Sequence, residues 1–210
     1  MKLLLILVVF LISLIEFIQG HGMVMDPINR GSRWRNDRSA LPDYNDMQAD
    51  CGGIQNQYNK YQGKCGMCGD EYGDNKPRAH ELNGRYGQGI IVKSYRSGST
   101  INVLVKITAN HKGKFVFKIC NLDNEQETED CFEKQPVRTT NGTDYVLLSS
   151  TPGDYVVPLV LPQNLQCKRC VLQWTYITGN NWGYCDDGTG RLGCGPQEHF
   201  RTCSDIIISK

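Results

Sequence analysis

The sequence predicts an all-β fold, an immunoglobulin/fibronectin III-like β-sandwich with long disulfide-held loops. Three observations point there. From Ile90 onward, about seven short apolar or alternating runs are separated by turn signals, with no long amphipathic helix among them. The stretch before them, His21 to Gly89, is rich in Gly, Asn, Asp, Arg and Tyr and has no clear period. The chain carries ten cysteines, an even number, all behind an apolar N-terminal segment, as a disulfide framework in an exported protein requires.

Met1, Lys2 and the run Leu3 to Ile15 have the charged start and apolar middle of a signal peptide, assigned to residues 1–20. The run, about 13 residues, is short for a membrane span, which takes about 20. Gly20 is a small residue behind which cleavage would leave His21 first. Ile18 stands where a smaller residue is usual, so a rival cut after Gly22 stays open on these rules alone. Residues 21–210 then read as one domain, secreted to the extracellular space.

In the loop-rich first part, long loops without secondary structure usually carry function. Beyond it, Ile101, Val103, Val105, Ile107 and Ala109 alternate with Asn102, Leu104, Lys106 and Thr108, the pattern of a half-buried strand. Asn110–Gly113 reads as the following turn, and Phe115, Phe117 and Ile119 as the next strand. Ile90–Tyr95, Tyr145–Leu148, Tyr155–Leu161, Cys170–Tyr176 and Phe200–Ile208 complete the set, with turns at Asn141-Gly142 and Pro152-Gly153. Asn141-Gly142-Thr143 is also a glycosylation acceptor, which would place that turn at the surface.

Lys and Arg number 23 against 22 Asp and Glu, a net charge of +1 with no long basic run. This excludes nucleic acid and membrane surfaces as partners and suits a neutral ligand. The cysteine units Cys65-Gly66-Met67-Cys68 and Cys167-Lys168-Arg169-Cys170 also admit a zinc reading. They lie about a hundred residues apart, far beyond the 15–20 of a zinc ribbon. Disulfides are preferred, with the pairing left open.

The chain has four histidines, His21, His80, His111 and His199. A mature His21 would offer its amine and its ring to one metal ion, which an internal histidine cannot do. The amine has an unperturbed pKa of roughly 8, so a metal can take its proton near neutral pH. His111 sits just past the end of the 101–109 strand, where it is expected to be exposed. Two imidazoles and one amine make a three-nitrogen set that favours copper over zinc. His80 reads as a surface residue, and His199 as off the metal because it alternates away from Phe200.

The chain resembles the lytic polysaccharide monooxygenases, most closely the animal-type group called auxiliary activity family fifteen. The first half matches through His21-Gly22, Met25-Asp26-Pro27, Ser32-Arg33-Trp34-Arg35, Tyr44-Asn45-Asp46, Cys51-Gly52-Gly53 and Cys65-Gly66-Met67-Cys68-Gly69-Asp70. The second half matches through Thr108-Ala109-Asn110-His111, Gln173-Trp174 with Tyr176, and Gly179-Asn180-Asn181-Trp182-Gly183. Gly195-Pro196-Gln197-Glu198-His199-Phe200 and Cys203-Ser204-Asp205-Ile206 complete it. Together these span nearly all of the mature chain in the family's order, and they favour the cut after Gly20.

The resemblance implies copper-dependent oxidative cleavage of glycosidic bonds in chitin, cellulose or both, with one copper ion per chain. His21 would give its amine and one ring nitrogen, and His111 one ring nitrogen, in a histidine brace. Phe200 falls where the family has an aromatic near the axial direction, and Ala109 would crowd the other axial approach. Gln197 and Glu198 are both candidates for a hydrogen bond to the oxygen co-substrate, and strand parity puts Glu198 on the Phe200 face. Ordinary core for Phe200 and a solvated strand position for Glu198 are the plainer alternatives. Partners would be an insoluble polysaccharide, an external electron donor, and oxygen or hydrogen peroxide, with the protein a monomer. Trp174 and Trp182 are read as core and loop anchors, while Trp34, Tyr44, Tyr58 and Tyr61 are candidate sugar contacts. The rival functions are a non-catalytic extracellular chitin-binding module and a copper carrier that uses the same brace.

Overall fold

The computed structural model describes residues 21–210, and the signal-peptide assignment for 1–20 lies outside the described residues. The strands are β1 (His21–Asp26), β2 (Lys93–Arg96), β3 (Thr100–Ala109), β4 (Lys114–Asn121), β5 (Pro136–Thr139) and β6 (Tyr145–Leu147). They continue with β7 (Gly153–Val160), β8 (Cys167–Ile177), β9 (Trp182–Tyr184), β10 (Gly190–Leu192) and β11 (His199–Ser209). A short helix, α1 (Glu129–Glu133), is capped by Thr128, whose hydroxyl accepts from Cys131 N at 3.3 Å. All seven expected strands form, although the Ile90–Tyr95 run starts only at Lys93. Strands β1, β5, β9 and β10 are additions to the sequence reading.

Nine strands make one curled sheet in the order β1-β3-β7-β5-β4-β8-β11-β2, with β6 added on β4; β9 and β10 form a separate hairpin. The curl makes a sandwich. Val103, Val105 and Ile107 of β3 and Leu159 of β7 share one core with Phe115 and Phe117 of β4, Trp174 and Tyr176 of β8, and Phe200 of β11. The alternation in β3 is kept, with Ile101, Val103, Val105 and Ile107 buried and Asn102, Lys106 and Thr108 exposed. Each such side chain contributes roughly 1.5–3 kcal/mol on burial. Strand β8 is buried on both sides from Cys170 to Tyr176, because the loops between β1 and β2 cover its second face. Under them lies a smaller core of Cys68, Cys120, Leu122, Cys131, Phe132, Val171 and Cys203.

All ten cysteines pair, as Cys51–Cys65, Cys68–Cys203, Cys120–Cys131, Cys167–Cys170 and Cys185–Cys194. This removes the zinc alternative, since no thiolate is left to ligate. Cys68–Cys203 closes a separation of 135 residues and fastens the loop layer to β11. On the chain-entropy model that link is worth roughly 5 kcal/mol. Arg30 reinforces it from the loop side. Its Nε and Nη2 donate to the two Asp205 carboxylate oxygens on β11 at 2.8 and 2.7 Å, and it also bonds Glu127 and His80 O.

His80 is not the surface residue that its charged neighbours suggest. Its ring lies between Asp43 and Asp70, 2.8 Å from Asp43 Oδ2 and 2.7 Å from Asp70 Oδ1, and stacks on Tyr86 at 4.8 Å. Burial alone would lower its pKa, but hydrogen bonds and charge from the two carboxylates outweigh that and push it up to about 9. The imidazolium thus pins two loops. Because the folded pKa lies above the ordinary 6.5, the stability it gives is full below about pH 6.5 and is lost as pH rises through about 9. Urea unfolding is expected to lose up to about 3 kcal/mol over that window, and His80→Gln to flatten the loss. An equal fall in the variant would show that another group is responsible.

Candidate metal centre

The site begins where β1 begins. His21 pairs with Ala109, the last residue of β3, and the register shifts at once so that Gly22 faces Ile107. Glycine leaves this irregularity uncrowded, since a Cβ at Gly22 would stand 2.5 Å from Ile107 Cδ1 and 3.2 Å from Trp174 Cη2, and the Ile107 side chain would have to shift. His111 follows two residues after Ala109, in a turn that the Asn110 side chain builds. Asn110 Oδ1 accepts from Lys112 N at 2.7 Å, and its Nδ2 donates to Thr151 O and Tyr155 Oη, both at 2.9 Å. Lys112 and Gly113 take positive φ (57° and 83°), which reverses the chain into β4.

His111 itself is buried, at 8% exposure, contrary to the exposure expected from its place at a strand end. The reason is Tyr176 on β8. Its hydroxyl accepts from His111 N at 2.7 Å, while His111 O accepts from Gly179 N at 2.9 Å. The backbone of His111 is therefore held at both polar atoms. His111 Nδ1 lies 3.9 Å from Glu198 Oε2. Truncating His111 would thus remove packing as well as its ring.

Glu198 and Asp50 supply the charge of the site. Burial raises the Glu198 pKa to about 7, helped by the negative charge of Asp50. Burial also raises Asp50, against the Gly52 and Gly53 amides and the attraction of His21. On the other side of the site, His21 Nε2 is 2.7 Å from Gln48 Nε2.

Gln197 and Glu198 separate by role. Gln197 Oε1 accepts from Asn181 N at 3.1 Å, and its Nε2 donates to Asn181 O and Cys194 O at 3.1 and 2.8 Å. Its amide fastens the base of the β9–β10 hairpin, leaving Glu198 as the member of the pair beside His111. Phe200 is fully buried in the main core, opposite Tyr176 in the β8–β11 register, with ring centroids 5.8 Å apart. Ala109 is half-buried opposite His21. His199 turns toward the loops, where its ring meets Gln57 Nε2 at 3.0 Å and the Tyr58 ring edge-on. Burial, and then the charges of Arg201, Lys114 and Lys118, push its pKa down to about 4, so it is neutral at physiological pH.

Trp174 is in the core, as expected. Trp182 is 59% exposed and pairs edge-to-face with Tyr184 at 5.1 Å, so it is a surface residue rather than a purely internal loop anchor, although it covers Gly190. Among the early aromatics, Tyr44 is exposed against Trp34, while Tyr58 and Tyr61 are partly buried against His199 and Tyr72. Sequence reasoning did not single out Gln48, Asp50 or the Tyr176 hydroxyl. The first two lie in an aperiodic loop, and the third comes from a strand whose residues all read as core.

A family model described as lytic polysaccharide mono-oxygenase, cellulose-degrading, matches residues 21–206. The chain belongs to the lytic polysaccharide mono-oxygenase family. A solved lytic polysaccharide monooxygenase, AA15 from Thermobia domestica in the Cu(I) state, is 44% identical with a TM-score of 0.87. That alignment covers 90% of this chain and 99% of the other. An AA10 lytic polysaccharide monooxygenase from Streptomyces lividans is 14% identical over 89% of this chain and 99% of its own. Its TM-score of 0.55 shows a shared fold only. No curated protein matches the chain.

Lytic polysaccharide mono-oxygenases are copper-dependent oxidoreductases, and that class sets aside the non-catalytic module and the copper carrier. The residues fit the metal. Among the described residues no three His, Cys, Asp or Glu side chains gather into a metal site, so a site at His21 and His111 would need a third donor, the main-chain amine that cleavage after Gly20 would free. The nitrogen set of two imidazoles and that amine suits copper. Because the mono-oxygenase holds His111 through a buried N–H on Tyr176, Tyr176→Phe is expected to cost about 1–3 kcal/mol in denaturant unfolding. An unchanged midpoint would show that this bond carries no weight.

Proposed function

We propose that this mono-oxygenase is secreted as a monomer after loss of residues 1–20 and cleaves chitin, cellulose or both. His21 and His111 are its metal-holding residues. The observation that carries the reading is the pairing of His21 with Ala109, which brings the new terminus beside the turn that presents His111. Bound copper supplies the redox chemistry that oxidises a carbon at the glycosidic bond, with an external electron donor and oxygen or hydrogen peroxide as co-reactants.

The chain's own residues set the conditions. Tyr176 and Gly179 fix the His111 backbone from which its ring projects. Glu198, with a pKa of about 7, holds a proton on part of the molecules near neutral pH and can donate or accept one hydrogen bond beside His111. Phe200 has no ligating atom and excludes water from beneath the site, and Ala109 limits approach by its methyl. The β9–β10 hairpin is tied by Gln197 next to Glu198 and offers Trp182 and Tyr184 as exposed faces for sugar rings. A near-neutral chain suits an uncharged polymer. Among the described residues no helix is long and apolar enough to cross a membrane. Asn141, exposed at the β5–β6 turn with its Oδ1 accepting from Thr143 N and Oγ1, is read as glycosylated.

The test uses the chain that begins at His21, loaded with one equivalent of copper and given a reductant, on chitin and on cellulose separately. Mass spectrometry is expected to find oxidised oligosaccharides from at least one polymer. His111→Ala is expected to lower their yield more than about a hundredfold. A chain beginning at Met23 that gave the same products would overturn the assignment of His21.

A further inference from the structure

The loop of residues 47–50 grips the first residue of β1. Gly22 N donates to Met47 O at 3.1 Å, Thr108 Oγ1 donates to His21 O at 3.4 Å, and Gln48 Nε2 stands 2.7 Å from His21 Nε2. The loop is itself fixed. Gln48 N donates to Asn45 O at 2.8 Å and Asp50 N to Gln48 O at 2.7 Å. Cys51, the next residue, is tied to Cys65 and donates its N–H to Gly69 O.

We infer that Gln48 is a positioning residue that holds the His21 ring by Nε2 and so leaves Nδ1, beside the amine, as the ring nitrogen offered to a metal. This rests on reading His21 as metal-holding. The amine and Nδ1 of one histidine close a six-membered chelate, whereas Nε2 lies on the far side of the ring and cannot share an ion with its own amine. Without a partner, a terminal histidine side chain turns freely and samples both tautomers. The bond made by one ring nitrogen decides the state of the other. Glutamine suits this task because its amide has a donor end and an acceptor end. As placed, its N–H₂ donates to an unprotonated Nε2. Turned over about its last torsion, its oxygen accepts from Nε2–H, the tautomer in which Nδ1 is free to ligate. In the metal-ready site the amide takes this second orientation: its oxygen on Nε2–H selects the tautomer that leaves Nδ1 free, with no movement of the backbone.

The chain that begins at His21 is compared with Q48L and Q48E by nitrogen-15 NMR of the His21 ring without metal, by copper affinity against a competing chelator, and by melting temperature. Q48L is expected to release the ring to the tautomer mixture of a free imidazole and to weaken copper binding about tenfold. Q48E, which can only accept, is expected to shift the ring to the Nε2–H tautomer and keep affinity near wild type. Melting temperatures stay alike, because Gln48 is exposed. Wild-type ring resonances that copper(I) leaves in place overturn the metal-holding reading and this proposal with it. Resonances that copper(I) moves, with Q48L matching wild type in both ring state and affinity, overturn the proposal alone.

Discussion

The antiparallel pairing of β1 with β3 is the constraint on which the functional end of the molecule depends. Six residues are locked along the edge of a sheet, with Gly22, Met23 and Val24 buried and His21 opposite Ala109. The irregularity between His21 and Gly22 allows the strand to end against Ile107 and Trp174 without a side chain in the way. Position is thereby conferred on a residue that would otherwise have none, at the same sheet end where β3 turns toward His111. A site built on strand ends is held more tightly than one built on free loops.

The loop layer acts as a second scaffold despite having almost no regular structure between β1 and β2. Its rigidity comes from cross-links: Cys51–Cys65, Cys68–Cys203, the His80 clamp, and the buried Arg30 shared by Asp205 and Glu127. Arg30 pairs through a planar fork with two carboxylates, so removing Arg30 would leave both buried without their counter-charge, which costs about 3–5 kcal/mol. These links carry the 47–50 loop to the terminus and cover the second face of β8. The proposed copper site is thus framed by the sandwich on one side and by a cross-linked loop layer on the other.

Much of this was legible in the chain, and the failures have identifiable causes. Val103, Val105 and Ile107 alternate with polar residues, and that period alone places β3. Strand β1 was missed because it is six residues long, ends at Pro27, and has no clear apolar alternation. Strand β5 starts on a proline, and β9 and β10 are three residues each. Parity favoured Glu198 over Gln197, but only the contacts of Gln197 with Asn181 and Cys194 show what its amide does instead. The burial of His111 depends on Tyr176, 65 residues away, and the His80 clamp on Asp43, 37 residues away. Neither partnership leaves a mark in local sequence, and the same holds for the cysteine pairing.

Strand β1 is held through Gly22, Met23 and Val24, which are buried and of which Gly22 donates its N–H to Met47 O. All three lie downstream of the proposed cut. On the proposed reading, in which a free amine on His21 completes the brace, a sound fold and a competent site are therefore separate properties. Circular dichroism or a melting curve would be blind to the difference. A preparation can be pure, soluble and well folded and yet contain no competent enzyme, so the intact mass of the polypeptide is the measure of quality that matters.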